Sequence, residues 1–294
     1  MKTGATAPIT ILPMGGLGNQ LFIYGAGLAL ARHLDAPLRV NCEWFSHQDL
    51  RVLELDLLEP DPSIIFYVPP TTFPARVISK VRRTLLASYG VYRESAWAQF
   101  SPDFWDVTPG STLGGYFQSW KYLEPISTEL RSKVLSAGTP SHWFTSTAEK
   151  LSRLGSWTSI HVRRGDYTYP GTREFFGLAE RSYYEQATKM MASLEGHRNF
   201  VVFSDDVTAA KEIFDGICGS ITFIDSPPAV PTLETLQLMA QASACVIANS
   251  SFSWWAAWLT DHPGKTVIAP RPWLDNSARC ERDLLPSHWI TIGR

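Results

Sequence analysis

From residue 157 onward the chain alternates short apolar runs with amphipathic stretches, and this alternation limits the possible folds more than any other feature. Runs at 157–162, 200–203, 221–224, 245–248 and 266–269 read as strands. The stretches 181–194, 207–214, 232–242 and 252–260 carry apolar residues at helical spacing. Strands alternating with helices form βαβ units, and such units build a parallel, doubly wound α/β sheet. The first half is less regular. A run at 9–12, the turn Gly15-Gly16-Leu17-Gly18 and an apolar stretch over 19–34 read as strand, glycine loop and helix, with the next strand at 38–42. Between 56 and 117 prolines at 60, 62, 69, 70, 74, 102 and 109 break the pattern, leaving a strand at 64–68 and a helix at 75–87. Ile126, Leu130 and Val134 recur every four residues and predict a helix over 122–135. The 294 residues suit two domains of about 150 each. With 136–142 as linker, the expected division is 1–145 and 146–294.

Ligands of open α/β sheets bind beyond the carboxyl ends of the strands. Those ends deliver His161-Val162-Arg163-Arg164-Gly165-Asp166, Ser204-Asp205-Asp206, Asp225-Ser226, Asn249-Ser250-Ser251 and Arg271 to one edge. Arg163 and Arg164 suit a pyrophosphate, because guanidinium offers bidentate, charge-assisted hydrogen bonds. Their plain alternative is a salt-bridged pair with Asp166. Ser250 and Ser251 precede a helix whose free N–H groups attract anions, although a serine there also serves as an ordinary cap. Trp254, Trp255 and Trp258 on that helix are explained by core packing. The loop containing Gly16, Gly18, Asn19 and Gln20 lacks the third glycine of a dinucleotide fingerprint, and no acidic residue follows at the proper strand end. A nicotinamide site is therefore excluded. The glycines still let a ligand approach the backbone, with Asn19 and Gln20 offering donors and acceptors at the mouth.

Composition removes other classes. Lysine and arginine total 26 against 28 acidic residues, so no nucleic-acid partner is expected. No apolar run is long enough to span a bilayer, and Pro8, Pro13 and Gly15 break up the N-terminal stretch a signal peptide would need. Cysteines 42, 218, 245 and 280 are widely spaced and read as free thiols of a cytoplasmic protein. The stretch 75–93 carries Arg76, Lys80, Arg82, Arg83 and Arg93 without an acidic residue. A solvated helix face is the first reading, and peripheral contact with the inner membrane face is the second. The 11 tryptophans tilt mildly toward carbohydrate. GxSxG, HExxH, Walker and DxD motifs are all missing, so the pyrophosphate site is expected to work through arginines and a helix end, with no metal or other cofactor.

GGLGNQLF, HVRRGDY and ANSSFSWWAAWL, in that order and spanning residues 15 to about 270, resemble the bacterial α-1,2-fucosyltransferases of glycosyltransferase family 11. The resemblance implies a GT-B fold, two Rossmann-like domains facing a cleft, with GDP-β-L-fucose on the C-terminal domain. The N-terminal domain, including the Gly16–Gln20 loop, would hold a galactose-containing oligosaccharide or lipid-linked glycan. It further implies inverting, metal-independent transfer of fucose to a galactose 2-hydroxyl. In those terms Arg164 binds the β-phosphate, Arg163 supports it, and His161 touches the guanine or ribose. Ser250 and Ser251 bind the phosphates, with Asp205 and Asn249 also among the donor-binding residues. Glu234 is the nearest candidate for the guanine edge, and Asp166 or Glu174 for accepting the hydroxyl proton. The Phe175-Phe176-Gly177 stretch lacks the histidine that the family often carries there. Two alternatives remain open: another regiochemistry, such as α-1,6, or a non-catalytic carbohydrate-binding protein.

Overall fold

In a computed structural model, which describes residues 6–47, 49–58, 61–68, 90–196, 198–275 and 280–294, the first unit grows outward from a three-residue strand. That strand, β1 (Ile9–Ile11), pairs in parallel with β2 (Leu38–Asn41) on one side and β5 (Thr112–Gly114) on the other. With β3 (Ile64–Tyr67) and β4 (Val91–Arg93) the order is β3-β2-β1-β5-β4, all parallel. Helix α1 (Leu17–His33) follows β1 and is buried over almost its whole circumference, as a helix apolar on all sides must be. Gly27 lets it rest directly on β1, since a Cβ there would collide with Ile11 Cγ2.

Two expectations for this half change. Strands β4 and β5 are new, because three residues show no readable period. The helix expected over 122–135 is only α2 (Ser127–Leu135), preceded by 3-10 turns at Trp120–Tyr122 and Glu124–Ile126. Pro125 has no N–H to donate and cannot sit inside an α-helix. The helix expected at 75–87, and the basic stretch apart from Arg93, lie outside the described residues.

The first unit comprises Met1–Gly138 and Cys280–Leu285; the second comprises Thr139–Arg279 and Pro286–Arg294. The division therefore falls after Gly138 rather than at 145. Ser141 caps helix α3 (His142–Ser152) and donates from its N–H and hydroxyl to Glu234 at 2.9 and 2.5 Å, which ties this helix to the second unit. The segment 280–285 belongs to the first unit because Asp283, nearly buried, accepts from Lys121 Nζ at 2.7 Å and from Phe100 N–H at 2.9 Å.

The second unit contains β6 (Thr158–Val162), β7 (Asn199–Ser204), β8 (Ser220–Ile224), β9 (Ala244–Val246), β10 (Val267–Arg271) and β11 (Ile290–Gly293). Its order is β11-β10-β9-β6-β7-β8, every pair parallel. Counted within the unit, this is 3-2-1-4-5-6, the dinucleotide-fold order, whose direction reverses between β6 and β9. Among the described residues five helices connect the strands: α4 (Pro170–Phe176), α5 (Arg181–Glu195), α6 (Val207–Phe214), α7 (Thr232–Met239) and α8 (Ser251–Leu259). Ile160, Val162, Tyr183, Tyr184, Phe200, Val202 and Val246 form its core. The Tyr183 hydroxyl is satisfied there by the Ile247 carbonyl at 2.6 Å. Trp254 and Trp255 are fully buried and Trp258 nearly so, which makes these rings core rather than sugar platforms.

Candidate functional site

The chain leaves β6 through a turn that glycine makes possible. Gly165 sits at φ +23°, and a Cβ on it would strike the Asp205 carboxylate. Asp205, at the end of β7, accepts the Arg164 N–H at 2.7 Å through Oδ1 and pairs with Arg163 Nη1 at 2.7 Å through Oδ2. Its carboxylate is thus committed to holding the arginine loop. Arg163 also lies over the Tyr167 ring, 5.2 Å from its centroid. Arg164 is only 6% exposed. Its Nη2 stands 3.6 Å from Glu180 Oε2, while Nη1 is buried with no hydrogen-bond partner. A buried guanidinium short of partners is costly unless an anion completes its shell.

His161 lies one strand position inside this turn, its ring 5.5 Å from that of Phe252 at the start of α8. Burial, reinforced by the Arg163 charge, pushes its pKa down to about 3. The imidazole is therefore neutral, and its Nδ1 is buried without a partner. At the end of the neighbouring strand β9, Ser250 caps α8 by accepting the Phe252 N–H at 3.3 Å. Ser251, half-buried, is the first helical residue. The first-turn N–H groups and the helix dipole make this terminus favourable to negative charge. Tyr167 joins the two strand ends, its hydroxyl donating to the Asn249 carbonyl at 3.3 Å. His161, Arg163 and Arg164 thus stand at the end of β6, and Ser250 and Ser251 follow β9, the two strands between which the sheet order reverses.

Other expected residues have different work. Asn249 Nδ2 donates to the carbonyls of Phe176 at 2.8 Å, Trp273 at 3.1 Å and Gly177 at 3.3 Å, so its amide N–H groups hold loops together. Glu234 has both oxygens on Ser141 and is nine-tenths buried. Its carboxylate is thus already engaged within the unit. Glu174 is exposed on α4, and Asp166 lies in the 3-10 turn Gly165–Thr168, with its side chain outside the described set.

At the β1 end of the first unit, the Gly16 carbonyl accepts the N–H groups of Asn19 and Gln20, and Gly18 is buried in the first turn of α1. Asn19 Oδ1 accepts from Gln118 Nε2 at 2.8 Å, and Gln118 Oε1 accepts from Trp97 Nε1 at 2.7 Å. Gln20, expected at the mouth, is instead fully buried. It donates to the carbonyls of Gly15 at 3.0 Å and Val52 at 2.8 Å and accepts the Glu54 N–H at 3.1 Å, closing the loop from within. Gln118, Arg173 and Glu180 went unnoticed in the sequence; only Gln118, just past a short strand, sits where a strand-end search would have found it. Among the described residues no group of three or more acidic, histidine or cysteine side chains could hold a metal ion, and no helix is long and apolar enough to cross a membrane.

A parallel sheet in this order, with arginines after β6 and a capped helix following β9, defines a doubly wound α/β protein whose switch point lies between those two strands. The family model described as glycosyl transferase family 11 matches residues 112–293, and the chain belongs to that family of glycosyltransferases. It is 29% identical to an α-1,2-colitosyltransferase of Escherichia coli, covering 95% of this chain and 97% of the relative. It is 26% identical to galactoside α-(1,2)-fucosyltransferase 2 of Oryctolagus cuniculus, covering 88% of this chain and 68% of the relative. In fold it is similar to the α-1,6-fucosyltransferase NodZ soaked with GDP-fucose, with a TM-score of 0.50 and 13% identity over 86% of this chain and 92% of that one.

Proposed function

We propose that the protein transfers L-fucose from GDP-β-L-fucose to the 2-hydroxyl of a galactoside, in a single displacement that inverts the anomeric centre and needs no metal. The observation that carries this reading is Arg164, buried at the switch point with Nη1 unpartnered. Negative charge grows on the departing diphosphate as the bond to fucose breaks, and donors already fixed at that position stabilise the transition state more than the ground state. Arg164 supplies such a donor, and the α8 terminus behind Ser250 supplies a partial positive charge. The names of the α-1,2 relatives support the galactose 2-hydroxyl as acceptor.

The test is incubation with GDP-fucose and a panel of galactosides, with product linkage read by NMR and a parallel reaction in EDTA. An α-1,2-linked product, unaffected by EDTA, is expected. Arg164→Ala should lose about 100-fold or more in rate while keeping its circular dichroism spectrum; full activity in that variant would remove the diphosphate assignment. The E. coli relative favours a second reading on the donor side, a colitosyl residue in place of fucosyl. Donor competition in the same assay decides between them.

A further inference from the structure

A cavity of about 370 Å³ lies beside Arg164, with Thr168, Arg173, Glu180 and Arg181 in its walls. Glu180 stands at the N-cap of α5, yet its side chain makes no capping hydrogen bond. Its carboxylate turns to the arginines instead, with Oε2 3.6 Å from Arg164 Nη2 and Oε1 3.3 Å from Arg173 Nη2. Both separations exceed the roughly 2.7–2.9 Å of a tight guanidinium–carboxylate hydrogen bond. The contrast with Asp205, at 2.7 Å from Arg163, separates a fixed partner from a loose one. Glu180 is half exposed (52%), as is Arg173 (60%), so both can move, whereas the Arg164 side chain is 7% exposed and cannot. Arg181 is committed elsewhere, to Glu185 at 2.6 Å and the Ile213 carbonyl at 3.0 Å. One loosely held carboxylate thus bridges two guanidiniums, and Arg164 Nη1 still lacks a partner.

Resting on the reading of this edge as a diphosphate site, we propose that Glu180 is a resident counter-anion which a diphosphate displaces, and that Arg173 then becomes a second cation on the bound diphosphate. A diphosphate carries more charge and more acceptor oxygens than one carboxylate. Glu180, repelled by it, swings into solvent. The carboxylate keeps the buried Arg164 charge compensated between turnovers and makes empty and occupied states compete for the same guanidinium.

Calorimetric titration of the full chain with inorganic pyrophosphate, GDP and guanosine tests this in the wild type, Glu180→Gln and Arg173→Ala. Glu180→Gln should tighten pyrophosphate and GDP by about threefold to fivefold, the effect of removing one partly screened competing charge. It should also lower the melting temperature of the empty chain and give a larger upward shift with pyrophosphate than the wild type shows. A purely structural ion pair would not enlarge that shift. Arg173→Ala should weaken both phosphate ligands by about tenfold, the loss of one charged hydrogen bond. Guanosine affinity should not move in either variant. If the wild type binds pyrophosphate while Glu180→Gln binds it equally or more weakly, or Arg173→Ala binds it unchanged, the proposal is overturned and the diphosphate site stands. If the wild type binds neither pyrophosphate nor GDP, the proposal falls together with the reading beneath it. Should Glu180→Gln fail to fold, Arg173→Ala, a change at a largely exposed side chain, decides alone.

Discussion

Acidification should destabilise the protein through His161 in a way that can be worked out beforehand. The side chain is 4% exposed, and burial together with Arg163 holds its pKa near 3 against 6.5 for a free histidine. The unfolded chain therefore takes up a proton that the folded chain refuses. Stability from the neutral ring is complete above 6.5, falls as pH drops through that value, and stops falling only near 3. One proton changes stability by about 1.4 kcal/mol per pH unit, so between pH 7 and pH 5 the loss is about 2 kcal/mol. Urea unfolding of wild type and His161→Gln over that range isolates the effect, since the other histidines are common to both chains. The variant will be less stable at neutral pH, and the gap should narrow by about 2 kcal/mol on reaching pH 5. A gap that stays constant would mean His161 protonates as readily folded as unfolded, and the argument from burial would fail. An uncharged ring also adds no third positive charge beside Arg163 and Arg164.

Gln20→Ala should cost about 3 kcal/mol in denaturant unfolding, because it opens a cavity, strands the buried Glu54 N–H and removes the donor to the Val52 carbonyl; a loss under about 1 kcal/mol would mean water takes over these groups. Gly165→Ala should weaken pyrophosphate binding by about tenfold, since its Cβ displaces the carboxylate holding Arg163 and the Arg164 backbone. Global stability should drop by only about 1–2 kcal/mol, the strain of that backbone angle, and unchanged affinity in a folded variant would show that Asp205 does not set the arginine geometry.

The second unit was legible because a parallel strand buried on both faces is a continuous apolar run, such as Phe200 to Phe203, and its helices repeat at another period. Helix α6 lies over 207–214, as its pattern predicts. Strands β4 and β5 were hidden because the neighbours that bury Leu113 are distant in sequence. Helix α3 was hidden because its buried face shows only Thr147 and Leu151. Strand-end logic carries His161, Arg163, Arg164 and Ser250 to one edge, because topology alone fixes those positions. Glu234, Asn249 and Gln20 carry internal hydrogen bonds that the sequence does not reveal. Each is polar and near the right element, yet each spends its hydrogen bonds on partners such as Ser141, 93 residues away, or Val52, 32 residues away. Residue type signals that a group can bond; only the folded chain decides whether a ligand is left to receive it.

The short return of 280–285 to the first unit means that no single continuous stretch of sequence encodes that unit. A gene cut once, after the codon for Gly138, yields a fragment in which Lys121 has lost its buried carboxylate and the Phe100 N–H its acceptor. The same holds during synthesis. The first sheet can pair as soon as β5 has left the ribosome, but Asp283 does not exist until all of β6 to β10 has been made. The earlier half of the protein is thus finished by the later half, and replacing the first unit by that of a relative would require two grafts rather than one.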